Sequence, residues 1–211
     1  MTLLEMINWM ANACYGFLTA NFLWGLSIII ISWRRLGQLS FRTMAAEEEF
    51  VEELSGMLSE RQYKAAAEKC DFDFRALPRL CLLMIANRER PYAELRQLVA
   101  NNVQRSFLGD MEHRLGQLVT VIKSGPLLGL LGTVLGMMAA FGRIGTGEKV
   151  QPSQIADEIS VALICTAMGL GTAIPFGYIL SFLSIRTRAL QESLEANLPR
   201  ILYYFRHHEG R

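Results

Sequence analysis

Thr133 and Thr166 are the residues of this sequence best suited to chemistry, because each sets a hydroxyl oxygen inside a long apolar run. Thr133 stands in Gly125–Phe141, GPLLGLLGTVLGMMAAF, where it is the only side chain able to hydrogen-bond. Thr166 stands in Ala162–Pro175, ALICTAMGLGTAIP. An ion crossing hydrocarbon needs oxygen ligands or a protonatable relay, since a bare charge at the bilayer centre is very costly. The threonines supply oxygen, but neither run contains Asp, Glu, His, Lys or Arg deeper than Lys123. The chain thus offers hydroxyls without a proton carrier, and if it conducts, the carboxylate comes from another chain. The competing reading gives each threonine a hydrogen bond to the i−4 carbonyl of its own helix.

The residues around the threonines are small. At about 100° per residue, Gly125, Gly129, Gly132 and Gly136 fall within a stripe of roughly 60° on one helix face. Gly125/Gly129 and Gly132/Gly136 are each G-x-x-x-G pairs. In water each glycine costs a helix about 0.8–1 kcal/mol relative to alanine. In a bilayer small residues let helix backbones approach where no hydrophobic effect drives association. In the later run Ala162, Thr166, Gly169, Ala173, Gly177, Ser181 and Ser184 share a face of about 120°. Two small-residue faces, each interrupted by a hydroxyl, predict close helix packing through Gly125, Gly129, Gly132, Gly136, Gly169, Ala173 and Gly177.

Three elements must position these faces. The 51% apolar content is concentrated in blocks at about Cys14–Trp33, Leu118–Phe141 and Ile159–Ile185. Each meets the need for roughly 20 apolar residues to cross about 30 Å of hydrocarbon. Of the 21 basic residues, only Arg143 and Lys149 lie outside 34–123 and the stretch from Arg186 onward. Excess Lys and Arg mark cytoplasmic segments, so the N-terminus is expected outside, 34–117 inside, 142–158 outside and the C-terminus inside. Met1–Ala13 has Glu5 and no base, which argues against a cleavable leader.

The expected architecture is an all-α membrane protein with three transmembrane helices, the second and third long and extending into the cytoplasm, and a helical cytoplasmic module. It divides into 1–33, an N-terminal span; 34–117, a helical cytoplasmic region; 118–185, a transmembrane hairpin with a short periplasmic loop at 142–158; and 186–211, a cytoplasmic helix. Leu95, Leu98, Val99, Val103, Phe107, Met111, Leu115 and Leu118 step by three or four. That spacing predicts one helix from Pro91 to Phe141, about 75 Å long. Pro126 and Pro175 predict bends, and Ser153 is a candidate N-cap for the third span.

The rest of the sequence excludes more than it offers. Near-zero net charge gives no argument for nucleic acid, and none is expected as a partner. No phosphate loop, H-E-x-x-H, G-x-S-x-G or paired carboxylates point to catalysis, and no cofactor or metal is expected. Cys14 and Cys165 fall in membrane segments, while Cys70 and Cys81 lie in the reducing cytoplasm, so no disulfide framework or zinc site is expected. His113, His207 and His208 read as solvated. Glu47, Glu48, Glu49, Glu52 and Glu53 read as a solvated face of a helix whose apolar side is Phe50, Val51, Leu54 and Leu58. Asn21 reads as an interhelical hydrogen bond inside the first span.

Gly125–Phe141, followed after a short loop by Ala162–Pro175, resembles the ExbB/TolQ/MotA proton-channel family. Three spans at this length favour the ExbB/TolQ branch over the MotA branch. The resemblance implies a homopentamer in the bacterial inner membrane whose second and third helices line a pore. It implies an ExbD- or TolR-like single-span partner whose aspartate carries the proton, and a TonB- or TolA-like protein that crosses the periplasm. Thr133 and Thr166 match the family's pore threonines. One position departs: the family usually carries a glutamate five residues before the second threonine, where this chain has Val161. Glu158, one turn earlier, is the candidate substitute at the outer pore mouth. The alternatives are a MotA-like stator for motility and a non-conducting membrane scaffold.

Overall fold

The computed structural model describes residues 3–145 and 151–206, and every regular element among them is helical. In chain order these are α1 (Leu3–Leu39), α2 (Met44–Ser59), α3 (Tyr63–Asp71), α4 (Ala76–Ala86), α5 (Tyr92–Asn102), a π-helical segment (Val103–Leu108), α6 (Gly109–Gly145) and α7 (Pro152–Arg206). Three stretches are long and apolar enough to cross a membrane: Ala13–Leu39, Tyr92–Gly145 and Pro152–Phe205. His207, His208, Gly147 and Lys149 lie outside the described residues.

Three local expectations are corrected. The helix leading into the second span is not uniformly α-helical. Its turn at Val103–Leu108 is wide, with the Gly109 N–H bonding the Gln104 carbonyl five residues back. A Cβ at Gly109 would lie 2.8 Å from that carbonyl oxygen, so a glycine there gives the wide turn room. The third span begins at Pro152, not with Ser153 as its cap. Proline suits the first helical position because its missing N–H has no intrahelical partner there. The cap is Gln151, whose N–H is accepted by the Gln154 side chain at 3.4 Å, half of a capping box. Finally, α6 runs to Gly145 and α7 starts at Pro152, so both helices extend into the stretch read as a loop at 142–158. Both also continue through Pro126 and Pro175.

The chain packs as two compact units. Residues Met1–Ile30 with Leu115–Phe182 form one, and Ile31–Arg114 with Leu183–Arg211 form the other. In the first unit, the small face of α6 meets α7, and α1 covers both. Asn21 on α1 donates to the Val121 carbonyl at 3.1 Å and accepts from Ser124 at 2.9 Å, the interhelical bond its position suggested. Phe22 stacks on Phe176 of α7, with ring centroids 5.5 Å apart.

In the second unit, Val51, Leu54, Ala66, Leu77, Leu80, Met84, Leu95, Val99 and Met111 close a core with Leu194 and Ile201. Thr43 caps α2 by accepting from the Ala46 N–H at 3.3 Å. The helix ends in a Schellman turn: the Gln62 N–H bonds the Met57 carbonyl and the Arg61 N–H bonds that of Leu58. Arg61 holds φ at 61° there, the position usually given to glycine. The break after Asp71 is fixed by Asp73, whose carboxylate accepts from the Arg75 backbone at 3.1 Å and its guanidinium at 3.0 Å. The acids of α2 are not all solvated. Glu47 is half-buried and accepts from Ser193 and Asn197 of α7, and Glu53 pairs with Lys69. Glu48, Glu49 and Glu52 are exposed.

Candidate functional site

The site lies in the first unit, where α6 and α7 approach backbone to backbone. The glycines permit that approach. A Cβ at Gly129 would stand 2.7 Å from the Cys165 carbonyl oxygen and 2.9 Å from the Thr166 Cα. One at Gly169 would stand 2.6 Å from the Gly125 carbonyl oxygen, and one at Gly136 would stand 2.6 Å from the Ala162 Cβ. At Gly132 the neighbour is Cys165, with its Cβ and Sγ at 3.0 Å. A Cβ at Gly125 would stand 3.3 Å from the Gly169 carbonyl oxygen.

The face that α7 turns inward is rotated from the one its small residues suggest. Ala162, Cys165, Gly169 and Phe176 are buried within the chain, while Ala173 and Gly177 are half-buried and Ser181 and Ser184 exposed. A Cβ at Gly177 would meet nothing within 4 Å. Within one chain Gly177 is therefore not a packing residue, and Cys165, assigned no role from its position, is. The small stripe Ala173–Gly177–Ser181–Ser184 runs beside the packed face.

Thr133 and Thr166 sit at the border between these faces and meet. Their hydroxyls hydrogen-bond each other, and both reach the Gly129 carbonyl, each at 3.0 Å. Thr133, buried in the interface, also lies 3.4 Å from the Ala162 carbonyl. The i−4 bond expected of an isolated helix is present at Thr133. Thr166 instead donates across the interface. Each hydroxyl carries one proton, so the two protons serve a shared set of acceptors and the pattern can rearrange by rotating the hydroxyls.

Twenty residues separate Lys123 from Arg143 on α6, about 30 Å of helix, which matches the hydrocarbon thickness. Thr133 is midway. At the Arg143 end a guanidinium nitrogen of Arg143 lies 2.6 Å from the Glu158 carboxylate. Glu158 is therefore held in an ion pair between α6 and α7. Tyr15 of α1 donates to the Val161 carbonyl at 2.8 Å. Neither Tyr15 nor Arg143 stood out in the sequence, although opposite charges bracketing a short link between two spans are a usable signal for such a pair.

Residues 76–196 match the MotA/TolQ/ExbB proton channel family. The chain is similar to the Tol-Pal system protein TolQ of Haemophilus influenzae, 38% identical over 82 residues, which is 39% of this chain and 36% of that protein. It is similar to the biopolymer transport protein ExbB of Neisseria gonorrhoeae, 29% identical over 106 residues, 50% of this chain and 48% of the relative. A third relative is the ExbB of Aquifex aeolicus, 38% identical over 79 residues, 37% of this chain and 53% of the other. The matched segments thus span between about a third and a half of these relatives' lengths.

Proposed function

This chain belongs to the MotA/TolQ/ExbB proton channel family, a multi-pass membrane protein, and from that premise we propose that it is the ion-conducting subunit of an inner-membrane motor. The observation that carries the reading is the Thr133–Thr166 hydroxyl pair, set in the apolar stretches 118–141 and 159–185, which contain no acid of their own. Oxygen without a titratable group can orient a proton carrier but cannot be one. The carrier is then an aspartate on the single transmembrane helix of an ExbD- or TolR-like partner, and Thr133 and Thr166 face the route it serves.

In this reading the N-terminus is periplasmic, the C-terminus cytoplasmic, and copies of the chain form a ring, a pentamer by resemblance. The ring is consistent with what one chain leaves uncovered. Leu127, Leu130, Leu131, Val134, Met138 and Phe141 of α6 are exposed opposite the packed glycines, a surface for lipid or neighbouring copies. The stripe Ala173–Gly177–Ser181 is left for the pore. Each charge moved inward gains about 2.3 kcal/mol per 100 mV. The motor passes this work to a TonB- or TolA-like protein for envelope transport or maintenance, or to surface motility if the output is that of a MotA-like stator.

A second reading, a non-conducting scaffold, is favoured by the fact that both hydroxyls already have acceptors within the chain. Reconstitution into vesicles separates the two. The conducting reading expects proton uptake when the chain is combined with an aspartate-bearing single-span protein from the same genome, and none from either alone or with that aspartate changed to asparagine. Uptake absent in every combination favours the scaffold.

A further inference from the structure

Between Ser40 and Gln117 three large apolar side chains stand exposed among the described residues: Met44 at 85%, Phe72 at 90% and Phe74 at 70%. They are not scattered. A groove of about 620 Å³ is lined by Gly37 near the end of α1, Arg42 and Ala46 around the start of α2, and Phe72, Phe74 and Arg75 at the bend between α3 and α4. The bend is held in place. The Asp73 carboxylate accepts from the Arg75 backbone and guanidinium, and that guanidinium lies over the Phe41 ring, 4.1 Å from its centroid. The Arg79 guanidinium stands 5.5 Å from the Phe74 centroid. Two phenyl rings at alternate positions are thereby fixed on the outside of a built turn, where water gives them nothing.

The location identifies the occupant. The membrane-crossing stretch of α1, Ala13–Leu39, has 27 residues and is about 40 Å long. That length covers the hydrocarbon and reaches the headgroup layer, so Gly37 and the groove beside it lie at headgroup level. Trp33 and Arg34 are exposed one turn earlier on α1, an aromatic ring and a cation of the kind found where a span leaves the membrane. A second copy of the chain is the poorer occupant, because a stable protein interface takes about 20–30 residues a side and three side chains at a bend fall far short.

We propose that the Phe72–Arg75 bend, with Met44, is an interfacial anchor that binds phospholipid. Met44, Phe72 and Phe74 enter the acyl edge of the leaflet at the Leu39 end of α1, and exposed Arg42 and Arg79 meet lipid phosphates. Apolar rings flanked by arginines are the chemistry of surface-lying membrane segments. Asp73 is neutralised by Arg75, while Asp71, Glu48 and Glu49 are exposed and stay on the water side. The leaflet is the cytoplasmic one in the topology proposed above; the anchoring itself rests only on α1 crossing the membrane.

Tryptophan fluorescence tests it in the full chain. Trp9, Trp24 and Trp33, all exposed, are replaced by phenylalanine, and Phe72→Trp supplies a single reporter. In vesicles of phosphatidylcholine and phosphatidylglycerol brominated near the headgroup end of the acyl chains, its emission falls about twofold or more. Glu89→Trp, at the exposed turn beyond the far end of α4, stays bright there and is quenched instead by iodide present on both sides. Phe74→Trp repeats the measurement at an independent position, and adding Arg42→Glu to it weakens the bromine quenching by repelling phosphate. Reporters at 72 and 74 as open to iodide as Glu89→Trp, and untouched by bromine, overturn the anchor. Reporters shielded from both quenchers also overturn it, since protein then covers the patch. The readout does not involve proton flux, so its failure leaves the conducting reading standing.

Discussion

Thr166 of α7 donates its hydroxyl to the carbonyl of Gly129 on α6 at 3.0 Å, the same oxygen that accepts from Thr133 at 3.0 Å. The glycine without a side chain and the two hydroxyls therefore form one arrangement. The backbones approach because position 129 has no Cβ, and only that approach lets a hydroxyl on one helix reach a carbonyl already used within the other. The site and the packing stand or fall together.

Gly129→Ala and Gly169→Ala are accordingly expected to destabilise the chain by about 1–3 kcal/mol, the usual cost of overpacking. The atoms each new methyl would meet are backbone and cannot swing aside. Gly177→Ala, which meets nothing within the chain, is expected to stay within about 0.5 kcal/mol of the parent. Denaturation in detergent micelles of fixed composition measures all three. Equal tolerance at 129 and 177 would contradict the packing described.

Asn21 is held by two bonds on α6, one to Ser124 and one to a backbone carbonyl. A double-mutant cycle of Asn21→Leu with Ser124→Ala is expected to give a coupling of about 0.6 kcal/mol. The Asn21 change alone should cost more than the coupling, because Val121 also loses a donor. A coupling of zero would remove the interhelical bond.

Arg61 pays the strain of a left-handed backbone at the end of α2. Arg61→Gly is expected to raise stability by about 0.5–1 kcal/mol, since the side chain's clash with the following carbonyl disappears. A loss of stability on that substitution, read from the same unfolding curves, would show that the arginine makes a contact worth more than the strain.

Cys81 is buried beside Cys70, and its hydrogen bond with Cys70, then burial, pushes its thiol well above the ordinary value of 9.0. The thiol is neutral when protonated. Because the folded chain holds the Cys81 proton more tightly than the unfolded one, that stabilisation is present below pH 9 and lost as pH rises further, whereas the same bond lowers the Cys70 thiol, whose contribution is present above pH 9 and lost as pH falls. Wild-type stability is expected to fall more steeply above about pH 9 than that of Cys81→Ala. Parallel curves would contradict the shift.

Much of this was legible in the sequence for a physical reason. Membrane helices must be long and apolar, so three spans show in composition, and small residues spaced by four show where helices approach. The sequence also brought Thr133 and Thr166 together as candidates through their shared isolation among apolar neighbours. Rotation was not legible. Cys165 and Thr166 differ by one position, about 100° of helix, and periodicity alone did not separate the face that α7 turns inward within one chain, at Cys165, from the stripe at Gly177. The wide turn at Val103–Leu108 was hidden because one extra residue leaves the three-or-four spacing of Leu95–Met111 nearly intact. The Arg143–Glu158 pair shows in the sequence only as opposite charges at the two ends of a short link, and their meeting depends on two helix ends being neighbours.

The central claim is that the two hydroxyls serve ion passage and not only packing. Proton flux into vesicles holding the chain with its aspartate-bearing partner tests it, using Thr133→Val/Thr166→Val beside Thr133→Ser/Thr166→Ser. Valine keeps the shape and removes the oxygens, while serine keeps the oxygens. The account predicts a fall of about tenfold or more for the valine pair, equivalent to roughly 1.4 kcal/mol on the barrier, with flux retained in the serine pair. A valine pair that conducts as well as the parent would contradict it.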